Sequence, residues 1–425
     1  MESKETPIRR QAEAPQTTRT GRAPRAKDAL VTERSQTAVA ERADPDAGVV
    51  RVRGGVDRVM LALILLLLAL GSVMVFSASY PSALAEKKDS LFYIKKQLMF
   101  LGIGALLTFA VILVPLRWMK KLAIPFYGAA LVLLVAVLIP GIGISNGEAR
   151  RWIGFSTFTI QPSEIMKAAL TFMLAWYMDT FHEFVVDRTN WRRYLLFGVF
   201  GPCVFVGAAC LLVLLEKHLS GTIIVGMIGL SVMFIGGCHL GWTILTVGTG
   251  GVLAAVLFLL KNPYAMKRIT TFGNDNADKL SDAWQLTQGQ YAIGSGGTLG
   301  VGLGASRQKY SYVSEAQNDF IFSIWCEETG FVGAVALIVL FLLFIIRGYT
   351  IAMRAPDTFS SLVVFGIVSQ VGIQALLNIG VVTGALPTTG ITLPFFSYGG
   401  SSLIILMAEM GVVLAVSRHS YQIRQ

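Results

Sequence analysis

VMLALILLLLALGSVMVFSAS, residues 59–79, decides the fold. A run of this length without a charged side chain can cross the roughly 30 Å hydrocarbon core of a bilayer as a helix. It carries no convincing cleavage site, so it is expected to remain in the chain as the first spanning helix. Further apolar runs follow, centred on Gly104, Val132, Phe172, Phe205, Met227, Ala254, Val335, Ile373 and Met407. With the first they predict an all-α polytopic membrane protein of ten transmembrane helices. The runs around Met227 and Ala254 are the least separated, being joined only by a tight turn at residues 237–240. Composition agrees: 54% of the 425 residues are hydrophobic and 15% are charged, against about 25% charged in an ordinary soluble domain.

A net charge of +10 invites a nucleic-acid reading, but the basic residues lie in the amino-terminal tail and in short loops, not along one amphipathic face. Such loops are where the positive-inside rule puts Lys and Arg. Arg117, Lys120, Lys121, Arg188, Arg192, Arg193, Arg347 and Arg354 then mark the cytoplasmic side, together with both termini. Residues 1–57 mix Arg, Glu, Ala, Thr and Pro without apolar periodicity and read as a disordered cytoplasmic tail. Residues 58–418 form the transmembrane domain, and 419–425 a short cytoplasmic tail. Between the helices, one large extracytoplasmic loop at about residues 261–318 is long enough to suggest a function. Cys203, Cys210, Cys238 and Cys326 fall in or at the edge of apolar segments without metal-ligand spacing, and read as packing residues.

Three segments could carry chemistry. Residues 148–167 read EARRWIGFSTFTIQPSEIMK. Pro162 suits the first turn of a helix, and Ser163 is available as a cap. Glu164 falls where the helix dipole favours an anion, and Lys167 lies three residues on, on the same face. An unpaired charge that deep costs about 2.5–3.5 kcal/mol on insertion scales, so a pair facing the interior is expected. The pair either only orients its helix or forms, with Arg150 and Arg151 before Trp152, a cationic wall for an anionic substrate. In the second segment Asp319 stands where the large loop re-enters the bilayer, preceded by Glu315. Asp319, Ser323 and Glu327 follow one ridge, and Glu327 and Glu328 read as hydrogen-bonded structural groups. The third, LPTTGITLPFFSYGGSS at residues 386–402, cannot form one regular helix. At membrane depth it must be buried in protein or line a cavity. The glycine-rich run GSGGTLGVGLG at 294–304 fits neither dinucleotide nor P-loop spacing, so no nucleotide is expected. It points to close backbone approach, to helices or to a ligand's phosphates. Arg307 and Lys309 follow as two more outer cations.

These residues also carry a resemblance. ARRWIGF with QPSEIMK, WQLTQGQYAIGSGG, SRQKY, NDFIF with EETGFVG, and residues 386–402 are similar to motifs that occur in the same order in the SEDS family. The similarity runs from the first spanning helix to the last. Residues 389–402 resemble the division and sporulation branch (FtsW, SpoVE) more than the elongation branch (RodA). The resemblance implies a peptidoglycan glycosyltransferase that polymerises lipid II beside a class B penicillin-binding protein and other division proteins. The expected location is the cytoplasmic membrane of a bacterium, at the septum. The family's essential aspartate falls on Asp319, and its Trp, Gln, Glu and Lys positions on Trp152, Gln161, Glu164 and Lys167. Arg151, Arg268, Gln288, Arg307, Lys309, Glu315 and Ser397 complete the candidate substrate-binding set. A divalent cation, Mg or Mn, is implied by the family alone.

Three departures stand out. The family's Pro-Glu-x-His-Thr is Ser314-Glu-Ala-Gln-Asn318 here. Its Gln-Pro-Asp-Leu-Gly-Thr is replaced by Glu216-Lys-His-Leu-Ser-Gly-Thr222, to which no role is assigned. The usual Ser after Gln288 is Gly289, expected to matter little. The expected reaction is a single inverting displacement with Asp319 as general base and cations receiving the leaving diphosphate. A lipid II flippase and a non-catalytic division scaffold are the alternatives.

Overall fold

All ten apolar runs are helical, since a helix pairs its own backbone groups where no water can. In the computed structural model the described residues are 51–53, 55–146, 149–155, 158–186, 190–261, 266, 284–310 and 312–423. Helices α1 (Arg58–Lys87), α2 (Phe92–Leu113) and α3 (Leu116–Leu138) come first, then α4 (Pro162–Thr180) and α5 (Trp191–Leu215). Next are α6 (Leu219–Ile235), α7 (Leu240–Lys261), the shorter α8 (Trp284–Ser295), α9 (Ile321–Met353), α10 (Thr358–Val382) and α11 (Gly400–His419). Among the described residues seven of these, α1, α2, α3, α5, α9, α10 and α11, are long and apolar enough to cross a membrane. Helix α6 is apolar but has 17 residues, and α4 carries Glu164, Lys167 and Asp179 within its 19.

Besides a two-stranded sheet of Arg51–Arg53 with Tyr421–Ile423, two features depart from a purely helical chain with a solvated outer loop. A three-stranded antiparallel sheet, β1 (Gly143–Asn146), β2 (Ala149–Phe155) and β3 (Phe158–Ile160), leads into α4. Its register pairs Ile144 with Trp152 and Ile153 with Ile160. The second half of the large loop is built into the protein: α8 occupies residues 284–295, and Ser306, Lys309, Val313, Ala316 and Gln317 are all buried.

The glycine-rich run explains itself here. Helix α9 is broken at Gly330, whose φ of 70° and ψ of −168° suit only glycine. The run passes through the break. The amides of Val301 and Gly302 donate to the carbonyls of Glu327 and Glu328, while those of Phe331 and Val332 donate to Gly297 and Thr298. A Cβ at Gly296, Gly300 or Gly330 would collide with the facing backbone. Of the two readings open in the sequence, approach to a helix is the one realised. Elsewhere α2 packs on α11 through small residues: a Cβ at Gly104 would strike Met407, and Thr108 Oγ1 donates to the Met407 carbonyl at 2.7 Å.

Gly330→Ala is expected to lower the thermal midpoint, with about 1–3 kcal/mol from backbone strain alone. Gly207→Ala, at a helical site with no atom within 4 Å of the added methyl, should leave it unchanged or raise it by up to about 1 kcal/mol. Unfolding of the detergent-solubilised protein checks both.

Candidate functional site

Strand β2 alternates its side chains between faces, and Arg151 and Ile153 share one face, with Ile153 buried. The Arg151 guanidinium donates to the Lys217 carbonyl. Trp152, on the other face, is half-buried. Strand β3 delivers Gln161, the residue before α4, whose amide Nε2 donates to Ser163 Oγ at 3.0 Å. Ser163 therefore lies inside the first turn as a bonded group; the expected cap is instead the position of Gln161, which makes no side-chain cap bond. One turn on, Lys167 Nζ lies 2.8 Å from Glu164 Oε2, and Lys167 is only 3% exposed. The expected interior-facing pair is present.

The segment given no role in the sequence lies against these residues. His218 Nδ1 is 3.4 Å from Gln161 Nε2 and 3.5 Å from Ser163 Oγ. Glu216 is 1% exposed, and neither of its carboxyl oxygens has a hydrogen-bond partner in the structure. Burial pushes the Glu216 carboxyl up to about 8, against the opposing charge of Arg151. Burial, and then the cations Arg151 and Lys167, push the His218 imidazole down to about 3.

On the opposite side, α10 carries Gln370, Gln374 and Asn378 at four-residue spacing, all buried and all on one face. Asn378 Nδ2 donates at 2.7 Å to the carbonyls of both Asp319 and Ile391. Ser397 Oγ donates to the Asn318 carbonyl at 2.7 Å and accepts from Leu393 N, while Tyr398 N donates to the Gln317 carbonyl. The backbone that bears Asp319 is thus pinned to the proline-rich segment and to α10. Asp319 is half-buried, with Oδ2 2.9 Å from where a Cβ would stand on Gly390. Below Asn378, Gln370 Nε2 donates to both oxygens of Glu409 at 3.1 and 2.9 Å. A small pocket, partly open to solvent, is lined by Glu164, Gln370, Gln374, Ser397, Ser402 and Glu409, among others. It joins the partner of Lys167 to the residue that holds Asn318.

Other expected site residues lie apart from this cavity. Lys309 is buried, and its ammonium bonds to Ser77 Oγ, the Gly304 carbonyl and Glu328 Oε1 at 3.1, 2.7 and 3.1 Å. With all three donors engaged it anchors the large loop, which corrects its reading as an outer cation. Glu327 accepts from Ser306 Oγ and Arg307 N, so both glutamates of α9 are the structural groups expected. The Arg307 side chain is exposed. Glu315 is exposed and accepts from Asn318 Nδ2 at 2.7 Å. Gln288 is buried on α8. A Cβ on Gly289 would lie 2.7 Å from the Phe320 ring, so the missing serine is a packing requirement. Arg268 lies outside the described residues. A divalent cation needs oxygen donors converging on one point. Among the described residues no group of three or more His, Cys, Asp or Glu side chains does so, and no step below is routed through a metal.

Helices crossing an apolar layer around a polar cavity, with charges paired inside, define a polytopic membrane protein with an intramembrane site. The family of cell cycle proteins that comprises FtsW, RodA and SpoVE matches residues 57–422, and the chain belongs to it. Stage V sporulation protein E of Bacillus subtilis is 41% identical over 369 residues, 86% of this chain and 97% of that one. The probable peptidoglycan glycosyltransferase FtsW of Geobacter metallireducens is 36% identical, covering 85% and 94%. Among solved structures, a peptidoglycan synthase complex described as coordinating polymerization and crosslinking contains a chain similar with a TM-score of 0.68 and 30% identity, covering 86% of this chain and 99% of that one. The rod shape determining protein RodA of Thermus thermophilus gives 0.64 and 29%, covering 86% and 98%.

Glu216 and His218 also set a pH dependence of stability. His218, depressed from 6.5, adds stability as pH rises from about 3 to 6.5 and nothing further above that. Glu216, raised from 4.5, holds a proton in the folded state that the unfolded chain has lost, so stability falls as pH rises from about 4.5 to 8. Between about 6.5 and 8 only the second effect remains. The thermal midpoint is expected to fall over that interval in the wild type and to fall less in Glu216→Gln.

Proposed function

We propose that this chain is a peptidoglycan glycosyltransferase that polymerises lipid II into β-1,4-linked glycan strands. The observation that carries the reading is the fixing of the Asp319 backbone by Asn378, next to Asn318, whose carbonyl is held by Ser397, a residue that lines a pocket together with Glu164, the partner of Lys167. A sugar 4-hydroxyl oxygen attacks the anomeric carbon of the second sugar from the face opposite the lipid diphosphate. The new C–O bond forms as the bond to the diphosphate breaks, and the electron pair leaves with it. The hydroxyl proton passes to the Asp319 carboxylate. An α-linked donor thereby gives a β-linked product in one inverting step. Arg151 and Lys167 receive the developing negative charge.

The same reading gives ten crossings with both termini in the cytoplasm, supported by Arg117, Lys120 and Lys121 at the start of α3, Arg347 near the end of α9 and Arg354 just beyond it. It gives a class B penicillin-binding protein as partner, by likeness to the relatives and the synthase complex. Division proteins are further partners, and the septum of the bacterial cytoplasmic membrane is the location. One observation favours transport of the lipid instead. Glu409 and Gln370 sit midway along α11 and α10, at the depth where transporters keep their polar groups.

Labelled lipid II incubated with the purified chain and its transpeptidase partner separates these readings. Glycan strands are the expected product, and Asp319→Asn is expected to reduce them about 10²- to 10⁴-fold. Undiminished synthesis by this variant rules out Asp319 as the base. Relocated lipid without polymer supports transport, and neither product supports a scaffold.

A further inference from the structure

Four elements meet at the small pocket beside the Glu164–Lys167 pair: the head of α4, the middle of α10, the middle of α11 and the non-helical stretch at 392–395. Two of them bring oxygen atoms that have no partner. Gln374 is 6% exposed and lines the pocket, and its carboxamide makes no hydrogen bond among the described residues. Gln370 gives its Nε2 to Glu409 and leaves a buried Oε1 unpaired. Thr392 and Pro394 line the same wall, and among the described residues no donor reaches the carbonyl of either. Buried polar groups are nearly always bonded, so a cluster of exceptions around one pocket asks for an occupant.

Charge gives the occupant's class. Glu409 is 2% exposed, and Gln370 is its only hydrogen-bond donor. Helix α10 contains no Asp, Glu, Lys, Arg or His, and α11 has none besides Glu409 before Arg418. The charges that act on Glu409 both come from α4: Lys167, which attracts it, and Glu164, which repels it. Lys167 is already paired with Glu164, so two negative charges face one positive. A single monovalent cation balances that set, whereas a divalent ion would leave a buried positive charge. A proton on Glu409 would balance it too, but would leave the oxygens of Gln374, Thr392 and Pro394 without partners. Carboxylate and carbonyl oxygens are the donors that hard cations take, and unwound backbone within a bundle is where membrane proteins hold sodium. We propose that this pocket binds a monovalent metal cation of the sodium type, with Glu409 as anionic ligand and oxygens of Gln374, Thr392 and Pro394 as neutral ones. Gln374 lies one turn from Asn378 on the same face of α10, so the ion steadies the face that holds the Asp319 backbone. It is separate from the divalent cation that the family implies, and its binding requires no lipid II.

The test unfolds the full chain in detergent by heat, in sodium chloride or in choline chloride at equal ionic strength, so that screening is the same in both. In the wild type the thermal midpoint is expected to be at least about 2 °C higher in sodium, climbing with its concentration to a plateau. Glu409→Gln should abolish the difference. Gln374→Leu should raise the sodium concentration needed for half the effect by about tenfold, the loss of one good ligand. Equal wild-type midpoints in the two salts overturn the proposal, as does a sodium response retained in Glu409→Gln. A rise given by magnesium and not by sodium overturns it as well. So does a midpoint that follows pH yet ignores sodium, which assigns the charge to a proton. If Glu409→Gln does not fold, binding of radiolabelled sodium to the wild type decides. Saturable binding displaced by unlabelled sodium and not by choline is expected, and its absence removes the site. None of these measurements uses substrate, so the site stands or falls apart from glycan synthesis.

Discussion

Backbone that leaves a regular helix inside an apolar layer must find its hydrogen bonds within the protein, because neither lipid nor water supplies them. Two irregular stretches meet that constraint here in different ways. The glycine-rich run threads the break in α9 at Gly330 and trades amide bonds with carbonyls and amides freed on either side. The proline-rich stretch at 386–399 adds side-chain bonds to its few backbone ones: Asn378 reaches Ile391, and Ser397 reaches Leu393. The same two side chains also hold the carbonyls of Asp319 and Asn318. The requirement that satisfies the backbone is therefore the one that fixes the candidate base.

Charge follows a parallel rule. Breaking a buried ion pair strands its partner at a cost of about 3–5 kcal/mol, so buried charges travel in compensated sets. Lys167 is paired with Glu164, and Lys309 with Glu328. Glu409 takes two bonds from Gln370. The first set faces the site, and the second holds the large loop against α1 and α9. Beside Arg151, the buried Glu216 carboxyl is shifted toward its neutral form.

The helices were legible because apolar length is a strong signal: the runs centred on Gly104, Val132 and Val335 are α2, α3 and α9. Pairing of Glu164 with Lys167 followed from spacing alone. The strand ARRWIGF carries a period of two, with Arg151 and Ile153 alternating with Trp152 and Gly154, but it is short and runs close to a helix start that gives the stronger signal. The burial of Lys309 is not legible, because a cation in a nominal loop looks solvated and only the fold makes that part of the loop core. Glu409 met the rule that a carboxylate in a spanning helix matters, as did Gln370 and Asn378 in weaker form, but no local motif drew attention to them. His218 and Glu216 carry no helical or strand pattern. Their place beside Gln161 and Arg151 exists only after the α5–α6 turn has closed.

The central claim is that hydrogen bonds from α10 hold Asp319 where it can act. Asn378→Leu is nearly isosteric and removes the donor to both carbonyls while leaving Asp319 itself unaltered. The initial rate of glycan synthesis by this variant, measured on folded protein with its partner, tests the claim most directly. The account predicts a rate at least about tenfold below wild type, the effect of losing roughly 1.4 kcal/mol of alignment. A wild-type rate would contradict it.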